Sequence, residues 1–177
     1  MPLPDGQLDL LLLDVELSLA AYGRDQLVVV WPRGADLLAR SVTDRPAGSP
    51  VPDSGRGPPA RALAARLSAR FADRLGEPVT VAWRTLAGQP PDGRPEVAYR
   101  TEWDTLLLTV RGALRLSASP FDAGGRGSTP LARARPGPLS VRLRTGGAVY
   151  APRGFMCEMS EASAPTLLLE LSLPGTE

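Results

Sequence analysis

The stretch Thr145-Gly-Gly-Ala-Val-Tyr-Ala-Pro-Arg-Gly-Phe-Met-Cys-Glu-Met159 decides the fold class of the chain. Its two adjacent glycines form a tight turn, because glycine adopts backbone conformations that are closed to other residues. The residues from Ala148 to Ala151 are typical of a strand, Pro-Arg-Gly forms a second turn, and Phe155 to Met159 is typical of another strand. The stretch therefore predicts short strands joined by tight turns.

The same pattern extends over most of the chain from Pro78 onward. Further apolar or alternating segments, bounded by glycine and proline, lie at 79–86, 96–100, 105–117 with a break at Gly112, 139–144 and 166–173. Residues 119–138 are rich in glycine and proline, and we expect them to form a long connection outside these strand-like segments. Many short strands at this spacing predict a mainly β protein, either a sandwich or a barrel.

The N-terminal part of the chain is predicted to be partly helical. Residues 8–22 fit both a strand and a helix, and we favour a helix from about Val15, because 25–31 is the better strand. The clearest helix begins at Pro58 and Pro59, repeats apolar side chains at helical spacing, and ends at Gly76.

The predicted organisation is one folding unit with an interruption. Residues 1–42 form a helix and strand segment that packs on a barrel, and residues 59–177 form a helix and the barrel itself. Residues 43–58 consist largely of proline, glycine, serine and aspartate, so we expect a flexible loop there.

The composition is that of an ordinary globular domain, with 177 residues of which 43% are hydrophobic. A formal charge of +1 with scattered arginines does not support nucleic-acid binding. The single cysteine, the lack of a basic segment before an apolar one at the N-terminus, and the shortness of the apolar runs predict a cytoplasmic protein that does not enter a membrane.

Several residue types are missing altogether. The chain contains no histidine, lysine, isoleucine or asparagine, and all 20 basic residues are arginine. Together with many alanines, glycines and prolines, this composition suggests a GC-rich bacterial genome. It also excludes a histidine general base, a histidine-activated nucleophile, a Schiff-base lysine and a histidine-ligated metal.

Four segments, in order, resemble the JmjC-like branch of the cupin superfamily, whose bacterial members include 2-oxoglutarate oxygenases. These segments are 75–79, 104–112, 145–154 and 166–173, and the glycine-glycine to Pro-Arg-Gly run is the most specific of them. The resemblance implies a cupin-type double-stranded β-helix, a jelly-roll barrel, with a small helical N-terminal part.

The chain departs from the metal motif of that family. The resemblance places the family's His-x-Asp pair at Tyr99 and Thr101, its distal histidine at Cys157, and its lysine for the keto acid near Leu114, beside Arg115. Such an iron site needs two imidazoles and a carboxylate. We therefore predict a degenerate member that uses neither a metal nor another cofactor.

A different metal set is left open by two carboxylates. Glu102 and Asp104 have the spacing of a carboxylate-x-carboxylate pair, share a face if the segment is a strand, and together with Cys157 provide three metal-ligand types. More often, such residues are solvent-facing and precede a strand.

Candidate site residues follow from the chemistry that remains. Tyr99, Cys157 and Arg153 are the candidate catalytic residues. A buried cysteine is commonly inert, but an arginine such as Arg153 or Arg142 next to it would lower the pKa of its thiol. The candidate ligand-binding residues are Trp83, Tyr99, Thr101, Arg115, Arg142, Tyr150 and Cys157.

Two carboxyl groups in the last strands are candidates for acid or base chemistry if they are buried. Strand alternation places Glu158 on the face opposite Cys157, so Glu158 is expected to face outward. In 166–173, Glu170 lies on the face opposite four leucines, and we expect it to face outward or toward a partner.

Three hypotheses about function follow. The first is a metal-free cupin that binds a small molecule or a peptide, or serves as an accessory pseudoenzyme, within a bacterial biosynthetic pathway. The second is a cofactor-independent cyclase, isomerase or dehydratase, and the third is an atypical metal-dependent oxygenase. A collapsed barrel interior favours the first, and an enclosed polar pocket favours the second. Because related proteins pair, a homodimer is also expected.

Overall fold

The computed structural model of the protein describes residues 5–22, 25–35, 38, 40, 58–88, 94–121, 138–163 and 165–173. In chain order, the elements are α1 (Asp5–Tyr22), β1 (Val28–Val30), α2 (Pro58–Leu75), β2 (Thr80–Leu86), β3 (Val97–Arg100), β4 (Asp104–Arg111), β5 (Ala113–Pro120), β6 (Leu139–Arg144), β7 (Ala148–Ala151), β8 (Phe155–Ser160) and β9 (Thr166–Leu173). The predicted mainly β class is confirmed.

The strands form two antiparallel sheets with jelly-roll connectivity. The five-stranded sheet has the order β1-β7-β4-β9-β2 and the four-stranded sheet has the order β3-β8-β5-β6. Successive strands from β2 to β5 alternate between the sheets, and β5 and β6 form a hairpin. The chain then returns, placing β7 beside β4, β8 between β3 and β5, and β9 between β2 and β4. This is a cupin-like jelly roll.

The five-stranded sheet is buried on both faces along its central strands. One face, with Leu106 and Leu108 of β4 and Leu169 and Leu171 of β9, packs in a core shared with α1 and α2. The other face looks toward the four-stranded sheet. Strands covered on both sides read as continuous apolar runs, which explains why β4, β7 and β9 are so rich in leucine, valine and alanine.

The four-stranded sheet is covered on one face only, so its strands alternate. Leu114, Leu116 and Cys157 point inward and are buried, whereas Arg115 and Glu158 point outward and are exposed. The predicted inward placement of Cys157 and outward placement of Glu158 are confirmed.

Two predictions about the N-terminal segment need correction. Helix α1 begins at Asp5, ten residues before the predicted start at Val15, and β1 comprises only Val28–Val30 of the predicted 25–31. The sequence was ambiguous because α1 carries apolar side chains all round, which hides its helical period. Neither helix in the described part of the chain is long and apolar enough to span a membrane.

Helix α2 begins at Pro58 and is followed by Gly76, as predicted. Gly76 has a φ of 71°, and its N–H donates to the carbonyl of Ala72 at 2.9 Å. The predicted loop at 43–58 lies outside the described residues except for Pro58, as do residues 122–137 of the predicted excursion. The division into 1–42, 43–58 and 59–177 stays a prediction.

The turn between β4 and β5 depends on Gly112. Its φ is 88°, and a Cβ at this position would lie 2.5 Å from Oγ1 and 3.0 Å from Cα of Thr166. The Thr166 hydroxyl is fixed there, since it donates to the carbonyl of Ala113 at 3.1 Å. Glycine is required at this position for its backbone angle and for the close approach of β9.

Three glycine-to-alanine substitutions separate these two requirements. Gly112→Ala is expected to lower the free energy of unfolding by roughly 3 kcal/mol, because the positive φ and the clash add. At Gly76 only the positive φ disfavours alanine, because no other atom lies within 4 Å of an added Cβ. Gly76→Ala should therefore lower the free energy of unfolding by about 1 kcal/mol. Gly6→Ala, which meets neither, should leave stability unchanged or raise it by less than about 1 kcal/mol. Urea denaturation measures all three, and equal losses at Gly76 and Gly112 would contradict the role of Thr166.

Candidate functional site

The layer between the two sheets is a packed apolar core. Its most buried members, each at most 1% exposed, are Leu86, Leu107, Leu114, Leu116, Leu143, Val149, Ala151, Cys157, Met159 and Leu168. Strands of both sheets contribute side chains to this layer.

Two of the residues that the resemblance places at metal-ligand positions, Tyr99 and Cys157, meet in this layer. Tyr99 of β3 and Cys157 of β8 are direct partners in the antiparallel register, and both belong to the core between the sheets. Thr101 follows β3, and its hydroxyl donates to the carbonyl of Pro152 at 2.7 Å and accepts from the N–H of Phe155 at 2.9 Å. Thr101 therefore links the segment that follows β3 to the turn between β7 and β8.

Burial holds Cys157 in its thiol form. Its side chain is 0% exposed, and burial, followed by the nearby Glu170 carboxylate, raises the pKa of the Cys157 thiol to about 12. The arginine activation considered from the sequence is absent, because Arg142 lies on the outer face of β6 and Arg153 lies in an exposed turn. The thiol is protonated at neutral pH and is a poor nucleophile.

A small polar cluster, formed by Arg84, Tyr99 and Glu170, lies at the edge of the layer. The Nε and Nη2 atoms of Arg84 donate to Oε2 of Glu170 at 3.0 and 2.5 Å. The guanidinium carbon of Arg84 lies 4.8 Å from the centroid of the Tyr99 ring, a cation–π contact. The side chains of Arg84 and Glu170 are 32% and 13% exposed. The cluster is thus partly shielded from water.

The Tyr99 hydroxyl is the unsatisfied member of this cluster. It is buried and has no hydrogen-bond partner of proper geometry among the described residues, although the Glu170 carboxylate is near. Burial first, and then the charge of Glu170, raise the pKa of Tyr99 well above its usual value. Among the described residues, the phenol is a protonated donor that makes no hydrogen bond of proper geometry.

The expectation that Glu170 faces outward is wrong. Glu170 is the register partner of Leu107 in β4, which lies in the core between the sheets. The leucines on the opposite face of β9 are covered by the helices. Alternation correctly separates the two faces of β9, but it does not say which layer covers each of them. Charged residues within otherwise apolar strands, here Arg84 and Glu170, were the available signal.

Four predicted ligand-binding residues lie away from Tyr99 and Cys157. Trp83 and Tyr150 pack in the helix-side core of the five-stranded sheet. Arg115 and Arg142 lie on the outer face of the four-stranded sheet, where Glu161 accepts from Arg115 at 2.8 Å and lies 3.6 Å from Arg142. These four side chains do not line one site with Tyr99, because they point away from the layer between the sheets.

The alternative metal ligands Glu102, Asp104 and Cys157 do not lie together either. Asp104 accepts a hydrogen bond from the backbone N–H of Arg153 at 2.9 Å, and Glu102 is exposed, whereas Cys157 is inside. Within the described ranges, no three histidine, cysteine, aspartate or glutamate side chains are grouped to hold a metal ion. The Arg153 guanidinium instead covers the Trp103 ring at 5.6 Å.

The donor set at the family's metal position does not fit iron. Iron of this class requires neutral imidazoles and an ionised carboxylate on one face. The corresponding groups here are a phenol and a thiol whose pKa values are raised by burial, and a hydroxyl already bonded to the backbone. These residues therefore do not provide the ligands of a catalytic iron site of this class.

The chain matches no protein-family model and no curated protein. Among solved structures of cupin fold, it is similar to the Streptomyces albus HEPD with 2-hydroxyethylphosphonate and Fe(II) bound, with a TM-score of 0.40 and 19% identity over 55% of this chain and 18% of that one. It is also similar to the hydroquinone 1,2-dioxygenase PnpCD, with a TM-score of 0.36 and 22% identity over 55% of this chain and 58% of that one.

A third similar structure is the TDP-quinovose 3,4-ketoisomerase WlaRB from Campylobacter jejuni. Its TM-score is 0.36 and its identity 15%, over 54% of this chain and 63% of that one. The match thus spans less than two thirds of each of these three proteins. The assignment of a cupin-like jelly roll rests on the strand connectivity described above.

The raised pKa of Cys157 predicts how stability depends on pH. The unfolded chain ionises near the usual value of 9.0, whereas the folded thiol keeps its proton to about 12. The contribution of Cys157 is therefore fully present below pH 9.0 and is lost as the pH rises toward 12. Urea denaturation at about pH 8 and about pH 10.5 should show a larger loss for the natural chain than for Cys157→Ala. Equal losses in both proteins would contradict this assignment.

The unpartnered Tyr99 hydroxyl predicts the effect of removing it. Tyr99→Phe keeps the ring beneath Arg84, so the free energy of unfolding should stay unchanged or rise by up to about 1 kcal/mol, because a buried unsatisfied group is removed. Thermal and urea denaturation measure this change. Tyr99→Ala, which also removes the ring, is the contrasting variant and should cost about 3 kcal/mol or more. A loss above about 1 kcal/mol in Tyr99→Phe would mean that the hydroxyl has a partner.

Proposed function

We propose that the protein is a metal-free, degenerate relative of the JmjC-type hydroxylases that acts by binding. In this proposal it is an accessory protein, a pseudoenzyme, that holds a small molecule or a peptide in a bacterial biosynthetic pathway in the cytoplasm. It binds neither nucleic acid nor membranes. The observation that supports the proposal is the apolar packing of the layer between the sheets, where the resemblance to the JmjC-type hydroxylases would place a metal.

The side chains around that position support binding rather than oxygenase chemistry. Cys157 is a buried thiol, Thr101 is bonded to two backbone groups, and Tyr99 is a buried phenol. Each of the three is compatible with a stable core, and none of them supplies an imidazole or carboxylate of the ferrous site that this class of oxygenase uses. Ligand contacts are therefore assigned to the rim and outer surfaces of the barrel.

The cluster of Arg84, Tyr99 and Glu170 favours a second candidate, a cofactor-independent isomerase, cyclase or dehydratase. Its distinguishing observation is the protonated, unpartnered Tyr99 hydroxyl beside an ionisable carboxyl. Such a donor and such a carboxylate provide general acid and base groups without a metal. In this candidate Tyr99→Phe and Glu170→Gln abolish turnover, whereas in the binding proposal both variants keep the ligand affinity of the natural chain.

Rebuilding the family's metal set tests the principal proposal. The natural chain, purified without a histidine tag, is expected to bind no stoichiometric Fe(II), Co(II) or Zn(II). The variant Tyr99→His, Thr101→Asp and Cys157→His should bind about one Co(II) per chain, because two imidazoles and a carboxylate then meet in the core. Calorimetry and the absorption spectrum of bound Co(II) provide the measurement.

Control variants make the outcome decisive. Cys157→His alone supplies a single imidazole and should bind Co(II) at least about tenfold more weakly than the rebuilt set. If far-UV circular dichroism shows that the triple variant is unfolded, Tyr99→His with Cys157→His tests the same positions. Stoichiometric metal in the natural chain that disappears in Cys157→Ala would overturn the proposal.

A further inference from the structure

Three arginines stand together on the outer face of the four-stranded sheet, and we call Arg115, Arg142 and Arg144 the arginine corner. Arg115 of β5 and Arg142 of β6 are direct register partners, and Arg144 is the partner of Ala113. Directly opposed residues have Cβ atoms about 5 Å apart, and residues two apart along a strand lie about 7 Å apart on the same face. The three long side chains therefore stand on three sides of one small residue, Ala113.

The arginine corner carries more positive charge than its carboxylate balances. Glu161 accepts from Nε of Arg115 at 2.8 Å, and its other oxygen lies 3.6 Å from Nη1 of Arg142. Among the described residues, Arg144 forms no ion pair. Three guanidiniums and one carboxylate leave a charge of +2 at the corner. Residues 122–137, which connect β5 to β6, do not supply the missing negative charge, because they contain three arginines and one aspartate.

This arrangement is unfavourable for the isolated chain in two ways. Like charges directly opposite each other destabilise a sheet, and Arg115 and Arg142 are such a pair. Glu161 has a φ of 49° and is the one non-glycine residue with a positive φ among those described. That conformation favours glycine, yet a side chain with a carboxylate stands there and reaches both arginines. The Glu161 carboxylate thus occupies the position that an anionic ligand of the corner would take.

The donors of the corner select the class of ligand. Guanidinium groups only donate hydrogen bonds, and their planar geometry matches the oxygens of carboxylates and phosphates. The two oxygens of Glu161 reach two arginines, the second only at 3.6 Å. A phosphate monoester has three terminal oxygens and carries close to two negative charges at neutral pH. It therefore suits three arginines better than one carboxylate does.

We propose that the arginine corner binds the phosphate group of a small phosphate monoester, which displaces the Glu161 carboxylate from Arg115 and Arg142. These two arginines, predicted from the sequence as ligand-binding residues, thereby act with Arg144 rather than with Tyr99. The inference rests on the proposed binding function and names a ligand class for it. Metal analysis tests that function in the layer between the sheets, whereas phosphate titration tests the outer face, so either can fail without the other.

Titration with methyl phosphate, followed by nuclear magnetic resonance at about pH 7.5, where a monoester is mostly a dianion, tests the site. Backbone amide and arginine Nε–H signals of β5 and β6 should shift saturably, with a dissociation constant on the order of 1 mM, because ion pairs at an exposed site are weak. Methyl sulfate has the same shape and one negative charge fewer. It should bind at least about fivefold more weakly.

Two arginine variants show whether the corner itself binds the phosphate. Arg142→Gln should raise the dissociation constant for methyl phosphate at least about tenfold, because a charged donor is lost. Arg100→Gln removes the same charge from another part of the same face, where Arg100 stacks on Phe121 at 5.0 Å. This matched control should change the dissociation constant by less than about twofold. Far-UV circular dichroism checks that both variants are folded.

Two glutamate variants test the role of Glu161 as the internal occupant. Glu161→Gln should lower the dissociation constant at least about threefold, because the competing carboxylate is gone. Glu158→Gln removes the same charge from the same face, at the position opposite Ser117, and should change the constant by less than about twofold.

Three results would overturn the proposal. The first is the absence of saturable shifts in both the natural chain and Glu161→Gln up to about 20 mM methyl phosphate. The second is an equal loss of affinity in Arg100→Gln and Arg142→Gln, which would mean that the phosphate responds only to net charge. The third is a dissociation constant of Glu161→Gln that equals or exceeds that of the natural chain.

Discussion

The pairing of β4 with β9, buried on both faces, is the constraint on which the rest of the molecule depends. The two strands run side by side in the middle of the five-stranded sheet, with register from Asp104 opposite Leu173 to Arg111 opposite Leu167. On one face of the sheet, leucines of both strands pack against the helices. On the other face, Leu107 and Leu168 pack against the four-stranded sheet. One pair of strands therefore contributes side chains to both cores.

The same constraint explains the state of the central layer. Once both faces of the sheet are apolar, a polar group between the sheets must be paired or neutral. Glu170 meets this requirement through Arg84, and Cys157 and Tyr99 meet it by staying protonated. The result, among the described residues, is an apolar core with one polar corner.

Much of the jelly roll was predictable from the sequence, because strands and turns are encoded locally. Glycine and proline at the turns, and alternation in 139–144 and in Phe155–Ser160, place the strands within a few residues of their positions. Tyr99 and Cys157, which the sequence groups in one candidate site, do lie opposite each other, and their equivalence to metal ligands stays a prediction. The start of α1 and the inward face of β9 were not predictable, because both elements are apolar in more than one direction.

The sequence by itself determined what chemistry is impossible: a chain without histidine or lysine has no imidazole and no amine side chain to offer, in any fold. It also determined the alternation that separates Cys157 from Glu158. Only the tertiary structure decided which face of each element is covered. It turned Glu170 toward Arg84, placed Trp83 and Tyr150 beneath the helices, and left Leu10 and Leu17 in water. Burial depends on which layers stack on an element, and that information is spread over distant segments of the chain.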